Sequence, residues 1–208
     1  SENTLKLAGE QLIKKYNGVE VFLHIGDYTR DISKLEDSQG GRLWLFLGST
    51  IGNFSHDEGV VFLSNIAKKM HISDSLLIGL DRDKNPAIIN AAYNDSLGYT
   101  EQFNLNILNV AGRKYGMEFD TQLFSHLAKY NKIENQMEMD LVSKCDQVIK
   151  IKQLNDLFKI RKGEKIRTEI SRKFNSESIK MLIEESGLYI SSSYQEEKYF
   201  YSVVIVKK

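Results

Sequence analysis

Glu169 and Ser171 stand two apart in Lys165–Ser171, a segment patterned as a β-strand, so their side chains share one face and Ile170 takes the other. A carboxylate beside a hydroxyl can hold an N–H-bearing ring or an amine; a polar strand face turned to solvent has the same pattern. Asp27 and Tyr28 close another predicted strand, at 19–25. The ring can stack on a nucleoside and the carboxylate can accept its hydrogen bonds, or the aspartate can simply form the turn. Gly48-Ser49-Thr50-Ile51-Gly52-Asn53 follows the apolar run Leu43–Leu47. Gly48 and Gly52 let backbone come close to a small molecule, and Asn53 offers both donors and acceptors. An ordinary strand–helix connection has this composition too. Tyr93 shares a predicted helix face with Ile89, where it can face a ligand or pack in the core.

The elements around these residues alternate. Leu5, Ala8, Leu12, Ile13 and Tyr16 recur at helical spacing and Gly18 ends the helix. Strands are predicted at 19–25, 42–47 and 75–80. Between the last two lies a helix at 56–70, opened by a capping box from Ser55 to Glu58. Strand–helix–strand alternation is the mark of an α/β layer with a parallel sheet, whose ligands bind past the carboxyl ends of the strands. Near residue 84 the character changes. Pro86 starts a helix carrying Ile88, Ile89, Ala92 and Tyr93, and another runs over 100–115 to Gly116. Ile133, Met137, Met139 and Leu141 then alternate with Glu134, Glu138 and Asp140, which is period two. Further strands are predicted at 148–151, 157–160 and 165–171, then a helix at 176–186 and a closing hairpin of 188–194 with 199–206. The expected division is an α/β layer over 1–83, an inserted α+β unit over 84–173, and a return to the first layer over 174–208.

Composition narrows the function classes. Lys+Arg and Asp+Glu are both 28 in 208 residues, and no basic run interleaves with aromatics, which argues against a nucleic-acid partner. No apolar stretch approaches the roughly 18 residues of a membrane span, so no membrane partner is expected. Cys145, the single cysteine, falls in a predicted strand and reads as structural in a reducing compartment; with no leader-like segment the expectation is a cytoplasmic protein. His24, His56, His71 and His126 follow no metal spacing, so no metal is expected. There is no phosphate loop, no Gly-x-Ser-x-Gly elbow and no Gly-x-Gly-x-x-Gly.

Read together, Phe46–Asn53, Ala92-Tyr93-Asn94-Asp95, Phe103-Asn104 and Thr168–Phe174 resemble the S-adenosylmethionine-dependent, histidine-specific methyltransferases, the family of ergothioneine-type histidine Nα-methylation. The resemblance covers essentially the whole chain. It implies a Rossmann-like methyltransferase sheet with an inserted substrate-binding unit, S-adenosyl-L-methionine as cofactor, and histidine or a similar amino acid as substrate. It further implies that Asp27 and Tyr28 meet the adenine end of the donor. Gly48 and Asn53 would line the substrate amine and carboxylate, and Tyr93 would bond the carboxylate. Met139 would touch the substrate, and Glu169 and Ser171 would select the imidazole. No residue is assigned as acid, base or nucleophile. The family's first strand, with its glycine-rich cofactor loop, and its acidic-ended second strand have no counterpart in 1–208. The chain thus matches roughly the C-terminal two-thirds of such an enzyme. Weak donor binding by this chain alone, and self-association through an exposed sheet edge at 42–47, are therefore expected. Another amino acid or small amine as acceptor, or a non-catalytic binding remnant, are the competing readings.

Overall fold

The computed structural model describes residues 2–35, 40–153, 155–196, 198 and 200–208. It divides into two units, Ser1–Gln39 and Gly40–Lys208.

In the first unit helix α1 spans Glu2–Lys15, and Gly18, at φ +81°, turns the chain out of it. The predicted strand at 19–25 does not form: the segment is irregular and pairs with no strand among the described residues. Apolar alternation makes a strand only where a neighbour completes the backbone ladder. Leu23 instead packs on α1 at Gly9, where a Cβ would lie 2.9 Å from its Cδ2.

The second unit runs β1 (Leu43–Phe46), α2 (His56–Lys69), β2 (Ser75–Asp81), α3 (Pro86–Tyr93), α4 (Tyr99–Tyr115), β3 (Phe124–Asn131) and β4 (Gln136–Ser143). Then come β5 (Gln147–Ile151), β6 (Asp156–Ile160), β7 (Lys165–Arg172), α5 (Ser176–Glu185), β8 (Tyr189–Glu196) and β9 (Tyr201–Lys207). Tyr199, where the sequence starts the last strand, lies outside the described residues. One sheet has the order β1-β2-β9-β8, with β1 and β2 parallel and the closing hairpin antiparallel. The C-terminal hairpin thus rejoins the strands that the chain left at Asp81. Leu76, Ile78, Val204 and Val206 share a face that is fully buried, as are Leu63 of α2 and Leu182 of α5. Burial of each such side chain is worth roughly 1.5–3 kcal/mol. The capping box forms as read: Ser55 Oγ accepts from the Glu58 N–H, and Glu58 accepts from the Ser55 N–H.

The second sheet is antiparallel, β3-β4-β7, with β5-β6 as a separate ribbon. Ile89 of α3 joins Ala128, Tyr130, Met137 and Met139 in one core cluster, with Tyr93 packed against it; Leu108 of α4 joins Phe124, Leu141, Ile149 and Ile160 in another. The two sheets meet where β7 ends: the Phe174 N–H donates to Asp81 O at 2.9 Å, and the Asp83 N–H to Phe174 O at 3.0 Å. Two sequence expectations fail here. Ile133 is 91% exposed in the β3–β4 turn, because Asn131 Oδ1 accepts from the Ile133 and Glu134 N–H groups and builds the turn there. The alternating strand begins only at Gln136. Cys145 lies between β4 and β5, where Ser143 Oγ donates to its carbonyl, and not in a strand.

Candidate functional site

Three elements bring side chains to the junction of the sheets. β7 carries Glu169, Ser171 and, just past its end, Lys173, at the period of two that keeps them on one face. A β-bulge sets that face. Met139 pairs with Glu169 but Asp140 with Arg167, so Thr168 is the extra residue, and its Oγ1 donates to Met139 O at 3.0 Å. Below the bulge Arg167 turns away to Glu138 and Asp140, at 2.8 and 2.6 Å. Above it Glu169 and Ser171 face α3.

α3 delivers Tyr93 as its last residue. Asn85 caps the start through its Oδ1, and Pro86 occupies the first turn. Asn94 next in line donates to Asn90 O and Ala128 O, and Asp95 accepts from the Tyr99 and Thr100 N–H groups to start α4. The Ala-Tyr-Asn-Asp motif is thus one phenol turned to the junction followed by two residues that fix the chain beyond it. His126 Nε2 bonds the Tyr93 carbonyl at 3.0 Å, and its Nδ1 meets Asn104 Nδ2 at 2.9 Å. Asn104 Nδ2 also donates to Asp140 O, so one amide group ties the ring of His126 to β4. This histidine is structural, and Asn104 of the Phe-Asn pair holds it.

The side chains converge. Tyr93 Oη lies 2.9 Å from Ser171 Oγ. Lys173 Nζ donates to Tyr93 Oη at 3.0 Å, Ser171 Oγ at 2.9 Å and Asp81 Oδ2 at 2.9 Å. Ser171 and Lys173 are buried, 8% and 4% exposed. Burial works against the Lys173 ammonium, but Tyr93 and Asp81 outweigh it and hold its pKa above the usual lysine value. Glu169, half-buried, accepts no hydrogen bond among the described residues. Burial pushes its pKa up, against the pull of Lys173.

The loop after β1 completes the junction. Gly48 and Ser49 have φ of +77° and +57°, and Ser49 Oγ accepts from the Asp81 N–H at 2.8 Å. A Cβ on Gly52 would lie 2.9 Å from Arg172 O, so this loop needs glycine to lie against the end of β7. Asn53 follows, exposed, its amide unbonded among the described residues. Met139 is 3% exposed beneath Glu169, its cross-strand neighbour. Asp27 and Tyr28 belong to the first unit. Asp27 accepts from Thr29 N, Thr29 Oγ1 and Arg30 Nε; the Thr29 and Arg30 bonds lower its pKa to about 2. Tyr28 lines a cavity of about 370 Å³ with Ile25, Ile32 and Leu35. Ser49, Asp81 and Lys173 also belong to the junction; the step of two from Ser171 to Lys173 is the sequence signal for the last, and Ser49 and Asp81 carry none.

This site gathers hydrogen-bond donors and acceptors around one buried ammonium, and no group of three or more possible metal ligands occurs among the described residues. The chain belongs to the family described as "Histidine-specific methyltransferase, SAM-dependent", whose model matches residues 1–208. It is 36% identical over 184 residues to a "Histidine N-alpha-methyltransferase" of Mycolicibacterium smegmatis, covering 88% of this chain and 57% of that protein. It is 30% identical over 167 residues to "L-tryptophan methyltransferase trpM" of Psilocybe serbica, covering 78% of this chain and 46% of that one. The chain thus spans about half the length of these curated relatives. Its fold is similar to that of the CcbJ methyltransferase of Streptomyces caelestis, with a TM-score of 0.52, 10% identity, and coverage of 100% of this chain and 71% of that one. The fold is accordingly Rossmann-like α/β.

Proposed function

We propose that this protein is an S-adenosylmethionine-dependent N-methyltransferase acting on the α-amine of histidine, in ergothioneine-type chemistry. One observation carries the choice of substrate. Glu169 presents a half-buried carboxylate that accepts no hydrogen bond among the described residues, two positions from the hydroxyl of Ser171 on the same strand face. A neutral imidazole has one N–H to give and one nitrogen to receive, and Glu169 and Ser171 supply the complementary pair. A site built on such bonds rejects analogues that lack the partner atoms. In this reading Tyr93 bonds the substrate carboxylate, and Gly48 and Asn53 line its amine and carboxylate. Met139 supports the ring from beneath Glu169.

The residues of the first unit fit the donor's adenine end: Tyr28 and the apolar walls of its cavity suit a flat ring, while Asp27 shapes the turn that holds Tyr28. When bound, S-adenosylmethionine supplies an electrophilic methyl group on a sulfonium. The chain's own residues hold the amine in place and orient it, the larger part of what such a transfer asks of a protein. The proposal includes residues 84–173 as the substrate-binding insertion in a core of 1–83 and 174–208. It also includes a cytoplasmic location, supported by the lone Cys145, and self-association through β1. Among the described residues no helix is long and apolar enough to cross a membrane.

Incubation of the protein with methyl-labelled S-adenosylmethionine and an amino-acid mixture tests the reading. Label on the α-nitrogen of histidine is the expected result when the chain carries the family's glycine-rich donor strand; with residues 1–208 alone, weak donor binding makes the expected labelling undetectable. Label on tryptophan in preference to histidine supports the other-amino-acid reading, which the tryptophan-acting relative makes concrete.

A further inference from the structure

We propose that Lys173 is a positioning residue for the carboxylate end of the substrate: its buried charge, passed on through Tyr93 Oη, makes the site prefer ligands that bear an anion there over neutral ones with the same ring. This rests on the histidine reading, in which Tyr93 bonds that carboxylate, and adds to it the source of the countercharge.

Three charges meet behind Tyr93. Asp81 at the end of β2 pairs with two ammonium groups, Lys84 through Oδ1 and Lys173 through Oδ2. One carboxylate thus serves two cations, and one positive charge is left over. Water screens it poorly, since the Lys173 side chain is 2% and the Lys84 side chain 14% exposed. Tyr93 and Asp81 outweigh burial and keep Lys173 charged. Arg172, its neighbour on β7, is drawn to Glu134 and Asp57 instead. Glu169 also faces the ammonium, and in the histidine reading it is the partner of the ring. The three N–H bonds of Lys173 go to Asp81 Oδ2, Ser171 Oγ and Tyr93 Oη, at 2.9, 2.9 and 3.0 Å. A carboxylate that accepts from Tyr93 sits one hydrogen bond beyond Oη, within about 6 Å of the ammonium. Opposite charges at that separation attract strongly where water is excluded. A hydroxyl whose oxygen accepts from an ammonium is also the stronger donor. In the free site the phenol proton lies toward Ser171 Oγ, 2.9 Å away. On binding it turns to the carboxylate, so it is used once. Ser171 Oγ still accepts from Lys173 and keeps its own proton for the ring nitrogen, while Glu169 accepts the ring N–H.

Histidinol tests this. It carries the imidazole and α-amine of histidine, with a neutral hydroxymethyl group in place of the carboxylate. Glu169 and Ser171 meet the same ring in both ligands, so the comparison isolates the carboxylate end. Calorimetric titration of the wild-type protein should favour histidine over histidinol by roughly tenfold or more. In Lys173→Met the ratio should fall to within about threefold, through weaker histidine binding, while Asp81 keeps Lys84 as its partner. Lys84→Met leaves Tyr93 and Ser171 untouched and cancels the leftover charge. It should lower the ratio by at least about threefold and carries the test if Lys173→Met does not fold. Comparing each variant's ratio with that of wild type removes the difference in the ligands' own protonation. A merely structural lysine would weaken both ligands alike. An unchanged ratio in folded Lys173→Met overturns the proposal, as does an unchanged ratio in Lys84→Met where the first variant does not fold. Equal affinity of wild type for the two ligands also overturns it while leaving ring recognition intact. Failure of wild type to bind either ligand overturns the histidine reading beneath it.

Discussion

Two carboxylates of the second unit are treated in opposite ways. Asp74 is fully buried and accepts from Arg42 N, Arg42 Nε, Trp44 Nε1 and His71 N. Burial alone would raise its pKa, but these bonds outweigh it and hold it far below the carboxylate range. Glu169 has the burial without the bonds, and its pKa goes up. The first holds β1 to β2; the second accepts no hydrogen bond among the described residues, which is what the proposed imidazole contact requires. The sign for Asp74 follows from linkage. Its folded pKa is depressed, so its stabilisation is complete above the unfolded value near 3.9 and is lost as pH falls through the folded value. Asp74→Ala takes the acceptor from the half-buried Arg42 Nε and from the Trp44 indole N–H, while Arg42 keeps its bond to Lys69 O, and is expected to cost about 1–3 kcal/mol at neutral pH. Denaturant unfolding over a pH series checks it: the gap between wild type and variant narrows below about pH 4. A gap independent of pH would mean that the carboxylate charge is not what holds the strands. For Glu169 the sign reverses: its ionisation costs the fold at neutral pH, and a ligand that donates a hydrogen bond offsets that cost.

At the scale of elements, β1 carries a second consequence. Among the described residues it pairs with β2 alone, and Leu43 and Leu45 are each 60% exposed. An unpaired, apolar strand edge invites a second chain. Under the self-association proposal, sedimentation at rising concentration shows a growing dimer fraction, and Leu45→Lys suppresses it. A single-chain mass for wild type at all concentrations would contradict it. Elements whose rules are local were legible in the residues. The Ser55–Glu58 capping box, Pro86 at the start of α3, Gly116 at the end of α4 and the shared face of Glu169 and Ser171 each follow from a few neighbouring positions. Features that depend on distant partners were not legible. Residues 19–25 have the pattern of a strand but no ladder. Ile133 continues the alternation of β4 in sequence, yet Asn131 bends the chain into a turn before it. The ion pair of Lys173 with Asp81 spans 92 positions (173 − 81), so no local pattern could show it. The bulge at Thr168 lies just before Glu169, which is why counting by twos from Glu169 to Lys173 succeeds and counting back to Arg167 fails.

At the scale of the whole molecule, the site exists because the chain leaves one sheet and returns to it. β2 ends at Asp81, the second sheet is built from residues 124–172, and β7 comes back beside Asp81 before α5 and the hairpin rejoin the first sheet. Phe174 fixes that return through two backbone bonds, and Lys173, one residue earlier, carries its charge into the same junction. The family likeness extends over all of residues 1–208, while the chain spans 57% of its mycobacterial relative. Recognition of histidine is therefore the central claim, and it depends on residues that this chain contains. Calorimetric titration of histidine into the protein and its Glu169→Ala variant tests it most directly. Losing one partner of a charged hydrogen bond costs about 1.5–3 kcal/mol, so the account predicts histidine binding to wild type and a roughly 10- to 100-fold weakening in the variant, with tryptophan bound more weakly than histidine by the wild type. Equal affinities of wild type and variant for histidine would contradict it.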